Sequence, residues 1–113
     1  MMKRYAVVWT QTAIEDLDSI LDHVYFENPE NALRILRKIK DRCALLHGNP
    51  SQGRIVPELN CHGIVTYREI IISPWRVLYR IANTCVYVLA VIDGRRNLED
   101  ILLSRIIRGG HHV

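Results

Sequence analysis

The chain has 113 residues, 49% of them hydrophobic and 24% charged, with a mean hydropathy of +0.01 and a net charge of +3. That composition suits one folded domain with a single core and excludes a disordered chain. No apolar run approaches the ~20 residues that span a membrane, and no signal-peptide core follows Lys3 and Arg4, so the expected compartment is the cytoplasm.

Cys43, Cys61 and Cys85 are odd in number and widely spaced, with no Cys-x-x-Cys and no Cys/His ligand spacing. Neither a disulfide framework nor a metal site is supported, and no cofactor is implied. Cys43 and Cys85 lie in patterns that suggest burial. His111 and His112 are adjacent at the terminus, a weak metal signal.

Tyr5-Ala6-Val7-Val8-Trp9 reads as a first strand. Its imperfect alternation fits burial on both faces or a central place in a sheet. Thr12 and Glu15 have the spacing of a capping box, and Ile14, Leu17, Leu21 and Val24 continue at helical spacing, which predicts an amphipathic helix from Ala13 to about Phe26. Asn28-Pro29-Glu30 restarts the chain with a cap, a first-turn proline and an acid at the positive helix end. Ala32, Ile35, Leu36, Ile39, Cys43 and Leu46 form the stripe of a second helix, stopped by His47-Gly48-Asn49-Pro50. So short a connection predicts an antiparallel hairpin. Gln11 to Glu27 carries five acids and no Lys or Arg, whereas Asn28 to His47 carries five bases against two acids. Charge pairing between the two helices is the plain structural explanation of the basic run.

Residues 48–63 read as a loop long enough to suggest function. Ile64–Ile72, Trp75–Ile81 and Cys85–Ile92 follow as three strands rich in Val, Ile, Tyr and Trp, turned at Ser73-Pro74 and Ala82-Asn83-Thr84. They predict an antiparallel meander. In the middle strand Trp75, Val77, Tyr79 and Ile81 share one face, expected to meet the hairpin. Arg76, Leu78 and Arg80 share the other, expected to be open. The last strand is apolar on both parities, which argues a central position. Asn97, Glu99 and Asp100 open a last helix with Leu98, Ile101, Leu102 and Ile106 as its stripe. Too short to be stable alone, it must pack on the sheet, a second copy or a partner. Residues 1–108 form one α+β domain on this reading, and 109–113 are a tail.

After Gly53 every basic residue is arginine. Arginine's planar fork suits carboxylates and phosphates. Arg54, Arg68, Arg76, Arg80, Arg95 and Arg96 are the candidate binding residues. Arg76 and Arg80 are the strongest of them, because like charges so close repel unless something acidic binds.

The order strand, hairpin, meander, with Gly53-Arg54-Ile55-Val56-Pro57-Glu58-Leu59 before the meander, resembles the ParE/RelE superfamily of bacterial toxins. Tyr67-Arg68-Glu69-Ile70, Trp75-Arg76-Val77-Leu78-Tyr79-Arg80-Ile81 and Val88 through Asp93-Gly94-Arg95-Arg96 carry the likeness, which spans roughly residues 3–103 and is closer to the ParE-like branch. The resemblance implies a type II toxin neutralised by a cognate antitoxin, as a homodimer or a heterotetramer with it. It leaves two activities: ParE-like toxins poison DNA gyrase, and RelE-like toxins cleave mRNA in the ribosome. RNA cleavage needs proton-transfer groups beside cations. Its candidates here are Glu58, His62 and Tyr79. No lysine follows Lys40 and no tyrosine follows Tyr87, so the favoured reading is a gyrase inhibitor with no catalytic residue. A non-toxic interaction module of the same fold is the third reading.

Overall fold

The computed structural model describes residues 4–109. Strand β1 (Ala6–Trp9) leads into helices α1 (Gln11–Glu27) and α2 (Pro29–Ala44). Two 3-10 turns, Leu45–His47 and Pro50–Gln52, precede the two-residue strand β2 (Arg54–Ile55) and the single-turn helix α3 (Pro57–Asn60). The meander is β3 (Tyr67–Ile72), β4 (Trp75–Ala82) and β5 (Cys85–Asp93), followed by α4 (Leu98–Gly109). Residues 110–113 of the expected tail, with His111 and His112, lie outside the described residues, as does the side chain of Ile106.

The sheet order is β1-β5-β4-β3-β2. All neighbours are antiparallel except β1, which runs parallel to β5. Strand β1 is therefore an edge strand, not a central one, and Val8 is 40% exposed on its uncovered side. An apolar side chain at an edge reads in sequence like one in the interior. Strand β5, flanked by β1 and β4, does hold the central position expected of it.

Thr10 caps α1, with its hydroxyl accepting from the Ala13 amide and donating to the Val88 carbonyl at 2.9 Å. The Thr12 box is not used. Only Thr10 gains a tertiary partner from the neighbouring strand, which decides between two equally good local motifs. Asn28 caps α2 as expected, its side chain accepting from Asn31 N at 3.1 Å, with Pro29 in the first turn.

Two cores lie on opposite faces of the sheet. Leu17, Ile35, Ile39, Val77, Tyr79 and Val88 belong to the one beneath the hairpin. Val56, Leu78, Ala90, Ile92, Leu98 and Ile101 form the other, so α4 packs on its own sheet. A bulge in β5 serves both. Leu78 pairs with Ala90 but Tyr79 pairs with Val88, leaving Leu89 as the extra residue. Before it Val86 and Val88 face the hairpin; beyond it Val91 does, and Ala90 and Ile92 turn to α4. Where β1 ends, Asp16 from α1 accepts the Val91 amide at 3.0 Å and pairs with Arg105 of α4 at 2.7 Å.

Candidate functional site

The α4 face of the sheet carries a closed network of charges. Arg54 lies directly across from Glu69 in the β2–β3 register, and its Nε donates to Glu69 Oε2 at 2.7 Å. Arg76 on β4 donates to the same carboxylate twice, from Nε at 2.6 Å and from Nη2 at 3.0 Å. Its remaining donors form a fork on Glu58, at 2.7 Å each. Pro57 starts α3, which sets Glu58 in the first turn, within reach of Arg76. Glu69 is 1% exposed and Arg76 8%. Hydrogen bonding from Arg76 holds the Glu58 carboxyl below its usual range, and the two glutamates hold the Arg76 guanidinium firmly charged. Among the described residues no buried side-chain N or O lacks a partner.

This arrangement corrects the expectation for Arg76. Its parity is as read, shared with Leu78, but α3 and the second core cover that face. The acidic group that relieves the Arg76–Arg80 repulsion is internal, Glu58 with Glu69, and not a ligand. Glu58 itself pairs with Arg76.

The motif before the meander acquires a mechanical meaning. Gly53 approaches β3 and β4 so closely that a Cβ there would lie 2.5 Å from the Glu69 carbonyl and 2.6 Å from the Tyr79 hydroxyl. The fully buried Tyr79 donates to the Pro50 carbonyl at 2.6 Å and accepts from Gly53 N at 3.0 Å. Arg68, opposite Tyr79 in register, donates to the carbonyls of Gly53 at 2.7 Å and Ser51 at 3.3 Å. Tyr79 and Arg68 pin the 50–53 turn on the hairpin face, while Arg54 and Glu58 tie the next residues to the other face. What read as one long loop is a brace across the β3 edge.

The remaining expected residues are dispersed. Arg95 makes a bidentate pair with Asp93, at 2.9 and 2.7 Å, which depresses the Asp93 carboxyl to about 2. Arg96 meets Asp93 through its backbone, with Arg96 N donating to the Asp93 carbonyl at 3.1 Å, and through charge attraction without a side-chain hydrogen bond. The exposed Arg80 stacks over Tyr87, 5.9 Å from the ring centroid. Among the described residues neither the Arg80 nor the Arg96 guanidinium makes a hydrogen bond or ion pair, although the Arg96 charge helps to depress the Asp93 carboxyl, so both groups keep donors open to an acidic contact. His62 stands 3.8 Å from Glu99 with both side chains exposed. Glu58, His62 and Tyr79 do not form one constellation: Glu58 is locked on Arg76, and Tyr79 points to the opposite core. Among the described residues no three His, Cys, Asp or Glu side chains come together to hold a metal ion.

Two positions that tie the site and its scaffold together were missed in sequence. Glu69 is the hub of the network, and its signal was an acid immediately before Ile70-Ile71-Ile72. Asp16 was counted only as one of the acids of α1.

Sequence comparison places residues 7–98 within the family described as the ParE toxin of the type II toxin-antitoxin system, parDE. Toxin RelE2 of Caulobacter vibrioides is 28% identical over 91 residues, covering 80% of this chain and 96% of that protein. The chromosomal ParDE TA system from P. aeruginosa contains a chain that superposes with a TM-score of 0.68 at 23% identity, over 80% of this chain and 96% of that one. The RelBE2 toxin-antitoxin complex from Mycobacterium tuberculosis contains another, with a TM-score of 0.56 at 24% identity, over 82% and 94%. At such identities the two structures establish the fold. The family match covers most of the chain, brace, meander and sheet edges included: this protein belongs to the ParE toxin family of type II toxin-antitoxin systems, within the ParE/RelE superfamily.

Proposed function

We propose that this toxin acts by binding rather than by catalysis, with DNA gyrase as its target and a cognate antitoxin as its neutralising partner. The observation that carries the reading is the occupation of the proton-transfer candidates. Glu58 is held as an anion by Arg76, and the Tyr79 hydroxyl proton is committed to the Pro50 carbonyl. A general base must be able to receive a proton from substrate, and a general acid must have one to give. His62 alone is left, exposed and beside Glu99 rather than a cluster of cations. A toxin that stabilises one state of its target needs no such groups. It needs an accessible surface, and Arg80 and Arg96 supply open cations for an acidic contact.

The antitoxin reading is supported by the family match and by both solved neighbours, which belong to toxin–antitoxin systems. The test is a supercoiling assay with purified gyrase, relaxed plasmid and the chain freed of antitoxin. Loss of supercoiling or accumulation of cleaved plasmid is the expected result. A folded chain that leaves gyrase untouched and cuts mRNA on ribosomes would overturn it. That second reading is favoured by the likeness to Toxin RelE2. For the binding surface the variant is Arg80→Glu with Arg96→Glu, expected to weaken target or antitoxin binding without unfolding the chain.

A further inference from the structure

Half of the α4 face of the sheet lies beyond the second core, and the register says which side chains stand there. Tyr67 lies opposite Arg80, Arg80 opposite Tyr87, and Tyr87 beside Val8. Val7, Val88 and Tyr79 face the hairpin, so Val8, Tyr87 and Arg80, next to them in sequence, face the other way. Tyr67 packs at the margin of the second core, on that same side. The four residues make one rung, Val8–Tyr87–Arg80–Tyr67, across β1, β5, β4 and β3. The next rung toward α4 holds Leu78 and Ala90, which Leu98 and Ile101 cover. The next rung away from it holds only the small side chains of Ala6, Cys85 and Ala82, so the rings and the guanidinium rise above it.

The rung is aromatic and positive. Val8 and Arg80 are exposed, and Tyr67 and Tyr87 are half-buried. Arg80 lies over the Tyr87 ring, and among the described residues its donors have no hydrogen-bond or ion-pair partner. Arg4, exposed just before β1, shares the parity of Ala6 and Val8. Glu58 and Glu69, the acids of this face, are spent on Arg76 and Arg54.

We propose that this rung is a stacking platform for single-stranded DNA. Strands stand about 5 Å apart, so the two rings are about 10 Å apart with the guanidinium between them. Ring, cation and ring match a chain in which flat bases alternate with anionic phosphates. One base stacks on Tyr67, the next on the Tyr87–Arg80 pair, and the open donors of Arg80 take the phosphate between. An acidic peptide uses the cation and leaves both rings without a planar partner. Duplex DNA hides its base faces and offers only phosphates. The choice of DNA over RNA rests on the reading of gyrase as target; the stacking does not. Two bases and one or two phosphates make a weak complex, with a Kd of about 1–100 μM at low salt, and a log–log salt slope of about −1.

Fluorescence anisotropy tests this, with a labelled oligothymidylate of about 12 nucleotides and the full chain freed of antitoxin, up to about 300 μM. The wild type should bind. Tyr87→Ala and Arg80→Ala should each weaken binding about tenfold, while Tyr87→Phe, which keeps the ring, should bind as the wild type does. The control for charge alone is Arg37→Ala. Arg37 is an exposed base of α2, on the other side of the sheet; among the described residues it makes no ion pair with the acids of α1 that were expected to neutralise it. Its loss should leave binding unchanged. A folded chain, verified by circular dichroism, that fails to bind overturns the proposal. So does an Arg37→Ala loss equal to that of Arg80→Ala, a duplex of the same length that binds as tightly, or an oligouridylate that binds more than tenfold tighter. If Tyr87→Ala and Arg80→Ala abolish antitoxin capture but leave oligonucleotide binding intact, the face belongs to the antitoxin and the platform falls. Gyrase inhibition without oligonucleotide binding overturns this inference alone; oligothymidylate binding with gyrase untouched keeps the platform and removes the target.

Discussion

Glu69→Gln probes the buried network at its hub. The carboxylate receives one bond from Arg54 and two from Arg76, all at 3.0 Å or less, and it is almost completely buried. Glutamine keeps the shape but turns one acceptor into an amide that faces guanidinium N–H donors. Breaking a buried ion pair from one side costs about 3–5 kcal/mol. Glu58 still neutralises Arg76 here, so the lower end applies, about 3 kcal/mol, or about 12 °C in Tm for a domain of this size. Glu58→Gln should cost less, about 1–2 kcal/mol, because its side chain is 29% exposed and Arg76 keeps Glu69. Glu99→Gln, with only an exposed histidine 3.8 Å away, should be neutral within about 0.5 kcal/mol. Urea unfolding followed by tryptophan fluorescence gives all three, read as midpoint shifts at constant slope. Loss of less than about 1 kcal/mol in Glu69→Gln, or a larger loss in Glu58→Gln, would refute the hub assignment.

Gly53→Ala should destabilise by about 2 kcal/mol or more, since its Cβ has no room, while Gly48→Ala, which meets nothing within 4 Å, should be neutral or slightly stabilising in the same urea series. Tyr79→Phe loses both bonds to the 50–53 turn and should cost about 1–3 kcal/mol, yet growth arrest on expression at a permissive temperature should survive; loss of arrest in a folded variant would return Tyr79 to the chemistry. Folded-state carboxyl values are lowered at Glu58 and Asp93, so the stability they add is present above their ordinary values and lost as pH falls through the lowered ones; acid titration of the urea midpoint should decline below about pH 4.5, and the decline should shrink in Glu58→Gln. Burial pushes the Cys43 thiol up to about 12, whereas Cys61 is exposed, so a thiol reagent at neutral pH should modify Cys61 at once and Cys43 only on unfolding, as mass spectrometry would show.

The parts of this fold that were legible in sequence are those fixed by local spacing. The stripe of α2, the Asn28-Pro29 restart and the two parities of β4 each depend on neighbours a few residues away. The edge position of β1 was not legible, because what covers a strand is decided by distant chain. The same holds for Thr10 against Thr12, where a carbonyl on β5 made the choice. Strand β2 is two residues long, too short for any alternation to register. Arg76 was placed on the correct face and given the wrong environment: parity tells which way a side chain points, not that Glu58 and Glu69 arrive to meet it. The bulge at Leu89 had no signal at all in an unbroken apolar run.

The brace from Gly53 to Glu58 is the most recognisable stretch of this chain, and its side chains are spent on holding the β3 edge in place. A motif of that kind certifies the scaffold and is silent about the prey. Kinship found through it groups proteins by how they are built, so two toxins with the same brace are free to disable different machines. On the proposed binding reading, retargeting such a toxin should be a matter of exchanging the surface around Arg80 and Arg96 while leaving the brace untouched.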